Sequence, residues 1–153
     1  MKIRNHHGIS YRKLSWRERF KIRFKYKYEL MKDYSIFISE KDLPLTSEIT
    51  TDYINVHPMA GGAMLTVKAG YQWDGTSGYI TVDTKSSMRG SLLHDVLYQL
   101  CRMGKIAFKL VSMIDKFFVY ILRKDGFTRL RAWLYLKGVD NRFVHKFAKP
   151  KGK

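Results

Sequence analysis

The amino-acid sequence predicts an α+β fold: a small β platform of N-terminal strands packed against an antiparallel pair of core helices, with a C-terminal helix after them. Three observations predict it. Short β-rich segments punctuated by proline and glycine fill the first half, two apolar-striped segments joined at Met103-Gly104 follow, and a Gly-rich run separates the halves. A chain of 153 residues with 45% hydrophobic residues suits one domain, 1–153, with one core. Within it, 1–30 reads as a basic aromatic arm, 63–124 as loop and helix-pair core, and 140–153 as a basic tail.

From Tyr11 to Tyr28 the run YRKLSWRERFKIRFKYKY interleaves aromatics with cations, and FKIRFKYKY alternates strictly. Period two predicts a strand with a basic face, the strip carrying Arg17, Arg19, Lys21, Arg23, Lys25 and Lys27. Such a strip is either a solvated edge guarded by lysines against self-pairing or a polyanion-binding surface, to which Arg129 and Arg131 would add. Strands are expected at Tyr34–Ile38 and Ala63–Lys68, separated by polar chain with Pro44, Pro58 and Gly61-Gly62. The run GYQWDGTSGYITVDTKSS reads as a ligand-lining loop.

Ser86 or Ser87 is placed to cap a helix running to Arg102, with Leu92, Leu93, Val96, Leu97 and Leu100 as its apolar stripe. Gly104 ends it. A second helix, Lys105–Arg123, is apolar nearly all round and is expected to be the most buried element. The short link makes the two helices antiparallel neighbours. A third helix, Thr128–Lys137, stops before Gly138.

The 29 Lys and Arg against 13 Asp and Glu give a net charge of +16, which calls for an anionic partner: a lipid surface, nucleic acid or an acidic protein. The single cysteine, Cys101, excludes an intrachain disulfide and reads as a small core residue. No secretory signal is expected behind MKIRNHHGIS. The most apolar run, Ile106–Leu122, is interrupted by Lys109, Asp115 and Lys116 and is too short for a transmembrane segment. Zinc motifs, P-loops, dinucleotide fingerprints and nucleophile elbows are absent. His6, His7, His57 and His145 read as surface residues.

The chemistry-bearing cluster lies around the first helix. His94, Asp95 and Tyr98 fall on neighbouring parts of its surface, and Asp115 comes level with His94 across the helix pair. Asp115 is the one acid in an otherwise apolar helix face and needs a buried partner, which His94 is best placed to supply. The pair makes His94 a candidate base and Asp115 its orienter. Such pairs also exist in cores merely to satisfy each other. Asp95, about 100° round the helix from His94, faces the preceding loop, where a hard cation could share it with carbonyl oxygens.

The segments LTVKAGYQWDGTSG, SLLHDVLYQ and IDKFF, spanning Leu65 to Phe118, resemble the phage-associated domain of unknown function 1353. That family's pattern is a strand entering a Gly-aromatic-x-Asp-Gly-x-Ser loop, a helix with His-Asp-x-x-Tyr, and an Asp three residues before Phe. The resemblance implies a phage or prophage origin, hence the host cytoplasm or the virion. The same pieces are similar to the secreted and parvovirus-type phospholipase A2 site. By that similarity His94 activates water, Tyr98 and Asp115 brace it, and Asp95 holds calcium with the Trp73 to Gly78 loop, naming Trp73, Asp74, Gly75 and Gly78. Asp74 departs from the small residues usual in that loop.

The first expectation is therefore a calcium-dependent, phospholipase A2-like hydrolase acting on a lipid or envelope ester. The second is a virion-associated structural protein that binds DNA or capsid and tail partners through its basic surface. A regulatory module binding host nucleic acid or an acidic host protein has only the charge behind it.

Overall fold

The structure is a computed structural model that describes residues 1–76, 83–139 and 145–150. Its strands are β1 (Ile3–His6), β2 (Ile9–Lys13), β3 (Tyr28–Leu30), β4 (Tyr34–Ser39), β5 (Ile49–Thr50), β6 (Ile54–Met59), β7 (Gly62–Val67) and β8 (Gln72–Trp73). Its helices are α1 (Trp16–Lys21), α2 (Met88–Arg102), α3 (Val111–Lys124) and α4 (Arg129–Val139). The chain is α+β, strands concentrated in the N-terminal half and helices in the C-terminal half.

Among the described residues the β platform is made of two antiparallel sheets, in the orders β1-β2-β3-β8 and β4-β7-β6-β5. The expected strands at Tyr34–Ile38 and Ala63–Lys68 are β4 and β7, paired from Tyr34 opposite Val67 to Ser39 opposite Gly62. The β1–β2 hairpin was not foreseen. Its two-residue turn is His7-Gly8, both in the left-handed region at φ 49° and 83°, which matches the twist of the flanking strands. β6, which contains Pro58, was also missed, because a proline argues against a paired strand.

The basic strip is not a strand. Ser15 opens a helix instead: its hydroxyl accepts the Glu18 N–H at 3.3 Å, and the Glu18 carboxylate accepts the Ser15 N–H at 2.8 Å. This reciprocal cap outweighs the alternation beyond it. Arg23 and Phe24 then turn left-handed, at φ 53° and 57°, so of the alternating stretch from Phe20 only Tyr28 enters a sheet, while Tyr11–Lys13 at the start of the run belong to β2. Arg17, Arg19 and Lys21 lie on α1 and Arg23, Lys25 and Lys27 in the connection to β3, so the six share no strand face.

The helix pair is present with shifted bounds. Lys105–Ala107 is a link, Phe108–Leu110 a 3-10 turn, and α3 starts at Val111. α3 exposes Ser112, Lys116 and Tyr120 and buries 7 of its 14 residues, whereas α2 buries 11 of 15, so α2 and not α3 is the central helix. The reason is position: α2 contacts α3, a 3-10 turn at Lys146–Ala148 and the sheets' core at once. Ser87 precedes α2 but caps nothing there; its hydroxyl donates back to the Thr84 carbonyl at 2.9 Å. α4 begins one residue later and ends two later than expected.

Ile9, Leu30, Val56, Leu65, Leu92, Leu97 and Ile114 belong to one core shared by both sheets, α2 and α3. A smaller cluster of Phe118, Leu122, Phe127, Ala132 and Tyr135 fastens α4 to α3. Part of the expected basic tail is docked, since Ala148 is fully buried in the main core. Among the described residues no helix is long and apolar enough to cross a membrane.

Candidate functional site

Contacts across the helix pair fix its direction. Gly90 of α2 faces Phe118 and Leu122 of α3, while His94, one turn on, faces Asp115 and Phe118. Numbers fall on α3 as they rise on α2, so the helices are antiparallel. A 3-10 turn, Lys85–Ser87, feeds α2 from the loop side and places its first turns beside β8.

Asp115 is wholly buried and fully engaged. Its Oδ1 lies 2.8 Å from His94 Nε2 and accepts the Tyr98 hydroxyl at 2.8 Å, while its Oδ2 lies 2.8 Å from Nε2 of His145. Three donors around one carboxylate offset most of its desolvation. Because Nε2–H of His94 points at the carboxylate, the neutral ring carries its lone pair on Nδ1. Among the described residues no group hydrogen-bonds that nitrogen. Tyr98 and Phe118 pack against the ring at centroid distances of 4.1 and 4.9 Å and limit its rotation.

His145 is a correction. It reads as a surface residue because no ligand-type neighbour stands near it in sequence, yet it holds the second oxygen of Asp115 from 30 residues away. The signal available was Asp115 itself, whose two oxygens need more donors than one imidazole and one phenol supply. His57 is on the surface as expected, 2.9 Å from Glu48.

Asp95 faces the loop. The backbone N–H of Asp74 points at its Oδ2 across 3.4 Å. The Asp95 carboxyl is pushed up to about 6, chiefly by burial and further by the charge of Asp74, against the lowering effects of His94, the Asp74 N–H and Arg102. Burial also raises the Asp74 carboxyl, with Asp83 adding repulsion, while Lys27, its Nζ 3.7 Å away, opposes both.

Asp83, which the sequence left as one acid among turn residues, closes the loop. Its Oδ1 accepts the Thr76 N–H at 2.7 Å and hydroxyl at 2.8 Å, and its Oδ2 accepts the Tyr28 hydroxyl at 2.9 Å. Gly75, at φ +79°, sits against it so closely that an added Cβ would lie 2.5 Å from Asp83 Oδ1. The Trp73 side chain serves the core. Its ring is fully buried and donates to Ser91 Oγ at 3.2 Å, and its carbonyl accepts the Lys27 N–H. Gly78 lies outside the described residues.

Among the described residues, no three His, Cys, Asp or Glu side chains are grouped to hold a metal ion. What fits calcium is the chemistry of Asp74 and Asp95, two hard oxygen donors raised by burial and by a neighbouring carboxylate each, Asp83 beside Asp74 and Asp74 beside Asp95, which a divalent cation would relieve. The ammonium of Lys27, 3.7 Å from Asp74 and 4.0 Å from Asp83, presently supplies positive charge there.

Of the cationic residues singled out in the sequence, two are engaged locally. Arg19 donates to the Tyr26 carbonyl, and Arg131 covers the Phe127 ring at 4.2 Å, so both are partly used in packing. Arg17, Lys21, Arg23, Lys25 and Arg129 are exposed.

Comparisons with family models, with curated proteins and with solved structures found no match. The site therefore stands on its own geometry.

Proposed function

We propose that the chain is a phage-encoded hydrolase of the domain of unknown function 1353 type, with a phospholipase A2-like site acting on a lipid or envelope ester. The observation that carries this reading is the 2.8 Å contact of His94 Nε2 with Asp115, which leaves Nδ1 as the ring's basic nitrogen. In this reading Nδ1 takes a proton from water as the oxygen attacks the ester carbonyl. The resulting imidazolium is held by Asp115 and Tyr98 and returns its proton to the departing alcohol oxygen, giving acid and alcohol with no covalent enzyme intermediate. Asp95 and Asp74 would hold calcium, which when bound supplies polarisation of a carbonyl and stabilisation of negative charge on oxygen. The +16 charge would serve an anionic partner, whether a lipid surface, nucleic acid or an acidic protein.

The test is ester hydrolysis on dispersed phosphatidylglycerol, with calcium and with a chelator. The wild-type chain hydrolyses it with calcium, and His94→Gln lowers turnover about 10²- to 10⁴-fold without loss of fold. Asp95→Asn removes the calcium dependence. A wild-type chain inert under these conditions overturns the reading.

A virion-associated structural protein is the second reading. It is favoured by the saturation of Asp115, whose three donors satisfy it as a purely structural cluster would. That protein would be indifferent to His94→Gln in virion assembly and would catalyse nothing.

A further inference from the structure

We propose that α1 and the turn after it form a docking knob for an anionic lipid bilayer, with Trp16, Phe20 and Phe24 entering the headgroup boundary and the surrounding cations meeting lipid phosphates. The knob goes beyond the hydrolase reading and stands whether or not His94 turns over an ester.

The three rings are 67%, 63% and 41% exposed, and α1 buries no residue at all. A six-residue helix that contributes nothing to the core would not persist on propensity alone. It is held by its cap and by the backbone N–H of Phe24, which returns to the Arg19 carbonyl at 2.6 Å. That return requires the left-handed turn at Arg23 and Phe24, and it brings Phe24 onto the helix. The rings then form one patch: Trp16 and Phe20 stack at 5.5 Å, and Phe24 lies 6.2 Å from each. The local structure thus gathers apolar surface outward, which marks an interaction site.

Around the patch Arg17, Lys21, Arg23 and Lys25 are exposed, and the Arg19 guanidinium sits 5.3 Å over the Phe24 ring. Aromatic rings ringed by cations match the two layers of an anionic bilayer surface, acyl boundary and phosphates. Single-stranded nucleic acid fits less well. It needs open ring faces, whereas Trp16 and Phe20 are in direct contact and leave no slot for a base between them. The knob also lies near the candidate site: the charge of Arg19 reaches Asp74, and Lys27 approaches it at 3.7 Å. Docking would bring the Asp74–Thr76 loop toward the lipid.

The full chain is sedimented with vesicles of phosphatidylglycerol and phosphatidylcholine, and with phosphatidylcholine alone. The knob requires binding to the anionic vesicles, weakened at least about tenfold in a Trp16→Ala, Phe20→Ala double variant. Neither side chain is buried, so the variant melts like the wild type. In a Trp133→Phe background, tryptophan emission shifts to the blue on binding, and adding Trp16→Phe abolishes the shift. His94→Gln binds vesicles normally, so loss of hydrolysis and loss of docking are separate results. Failure to bind anionic vesicles, or equal binding by the double variant, overturns the proposal. So does an oligonucleotide or acidic-protein affinity that falls in the double variant while vesicle binding holds.

Discussion

His145 Nε2 stands 2.8 Å from the Asp115 oxygen opposite the one that His94 and Tyr98 share. Two imidazoles therefore meet one buried carboxylate, but they differ in what lies around them. His94 sits on α2 beside Asp95 and the loop, whereas His145 precedes the 3-10 turn that packs onto α2. His145→Gln is expected to cost about 1–2 kcal/mol of stability and to lower turnover less than about tenfold. His94→Gln shows the reverse pattern, a large loss of turnover with a small change in melting temperature. Calorimetry and ester hydrolysis on both variants decide; if turnover is lost equally, His145 is the base and the assignment of Nδ1 of His94 fails.

Gly75→Ala tests the loop. Its φ of +79° disfavours any side chain, and the new Cβ would press on the Asp83 carboxylate at 2.5 Å. Asp83 cannot yield freely, because Thr76 and Tyr28 hold both its oxygens. The combined cost is expected at about 1–3 kcal/mol. Because Asp74 reaches Asp95 through the same turn, calcium-dependent hydrolysis should fall further than stability does. A variant with unchanged melting and unchanged hydrolysis would show that the loop conformation has no part in the site.

The helix pair and its polar centre were legible because they rest on local rules. Spacing put His94 and Tyr98 on one side of a helix, and a lone acid in an apolar face demanded a partner. His145 and Asp83 were not legible, since each meets its partners through chain reversal that no local pattern encodes. The strip from Phe20 to Tyr28 misled for a different reason: alternation predicts a strand, but Ser15 and Glu18 start a helix before the alternation begins, and Arg23 and Phe24 break it. The His7-Gly8 turn was readable only as a glycine-bearing pair, because the flanking Ile3–His6 and Ile9–Lys13 are largely polar and carry little strand signal.

Glu18 makes α1 sensitive to acid. Hydrogen bonds from Arg12 first, then from Ser15, hold its carboxyl down from 4.5 to about 2. A depressed carboxylate stabilises the folded state above its unfolded value, and that contribution is lost as pH falls from about 4.5 through about 2. At neutral pH, Glu18→Gln should therefore fray α1, seen as faster amide exchange over Arg17 to Lys21 and weaker vesicle binding. Near pH 2 the variant and wild type should exchange alike. A wild-type helix equally protected at pH 7 and pH 2, relative to the intrinsic exchange rate at each pH, would remove the cap from any role in presenting Trp16 and Phe20.

Cys101 reports on the same helix pair from inside. It is fully buried on α2, and burial pushes its thiol up to about 11, with Asp115 adding a little and Arg102 opposing. Two units above the ordinary value of 9.0 leave about a hundredth of the usual thiolate near neutral pH, before any steric protection is counted. Alkylation at pH 8 should therefore be slow in the folded chain and proceed through opening of the structure. Asp115→Ala leaves His94, Tyr98 and His145 without their shared acceptor and should cost about 3–5 kcal/mol, as breaking a buried charge cluster does. Alkylation of Cys101 should then accelerate by two to three orders of magnitude or more, in proportion to the lost stability. If Cys101 in that variant stays as protected as in the wild type, Asp115 does not hold α2 to α3, and the cluster around it serves only to orient His94.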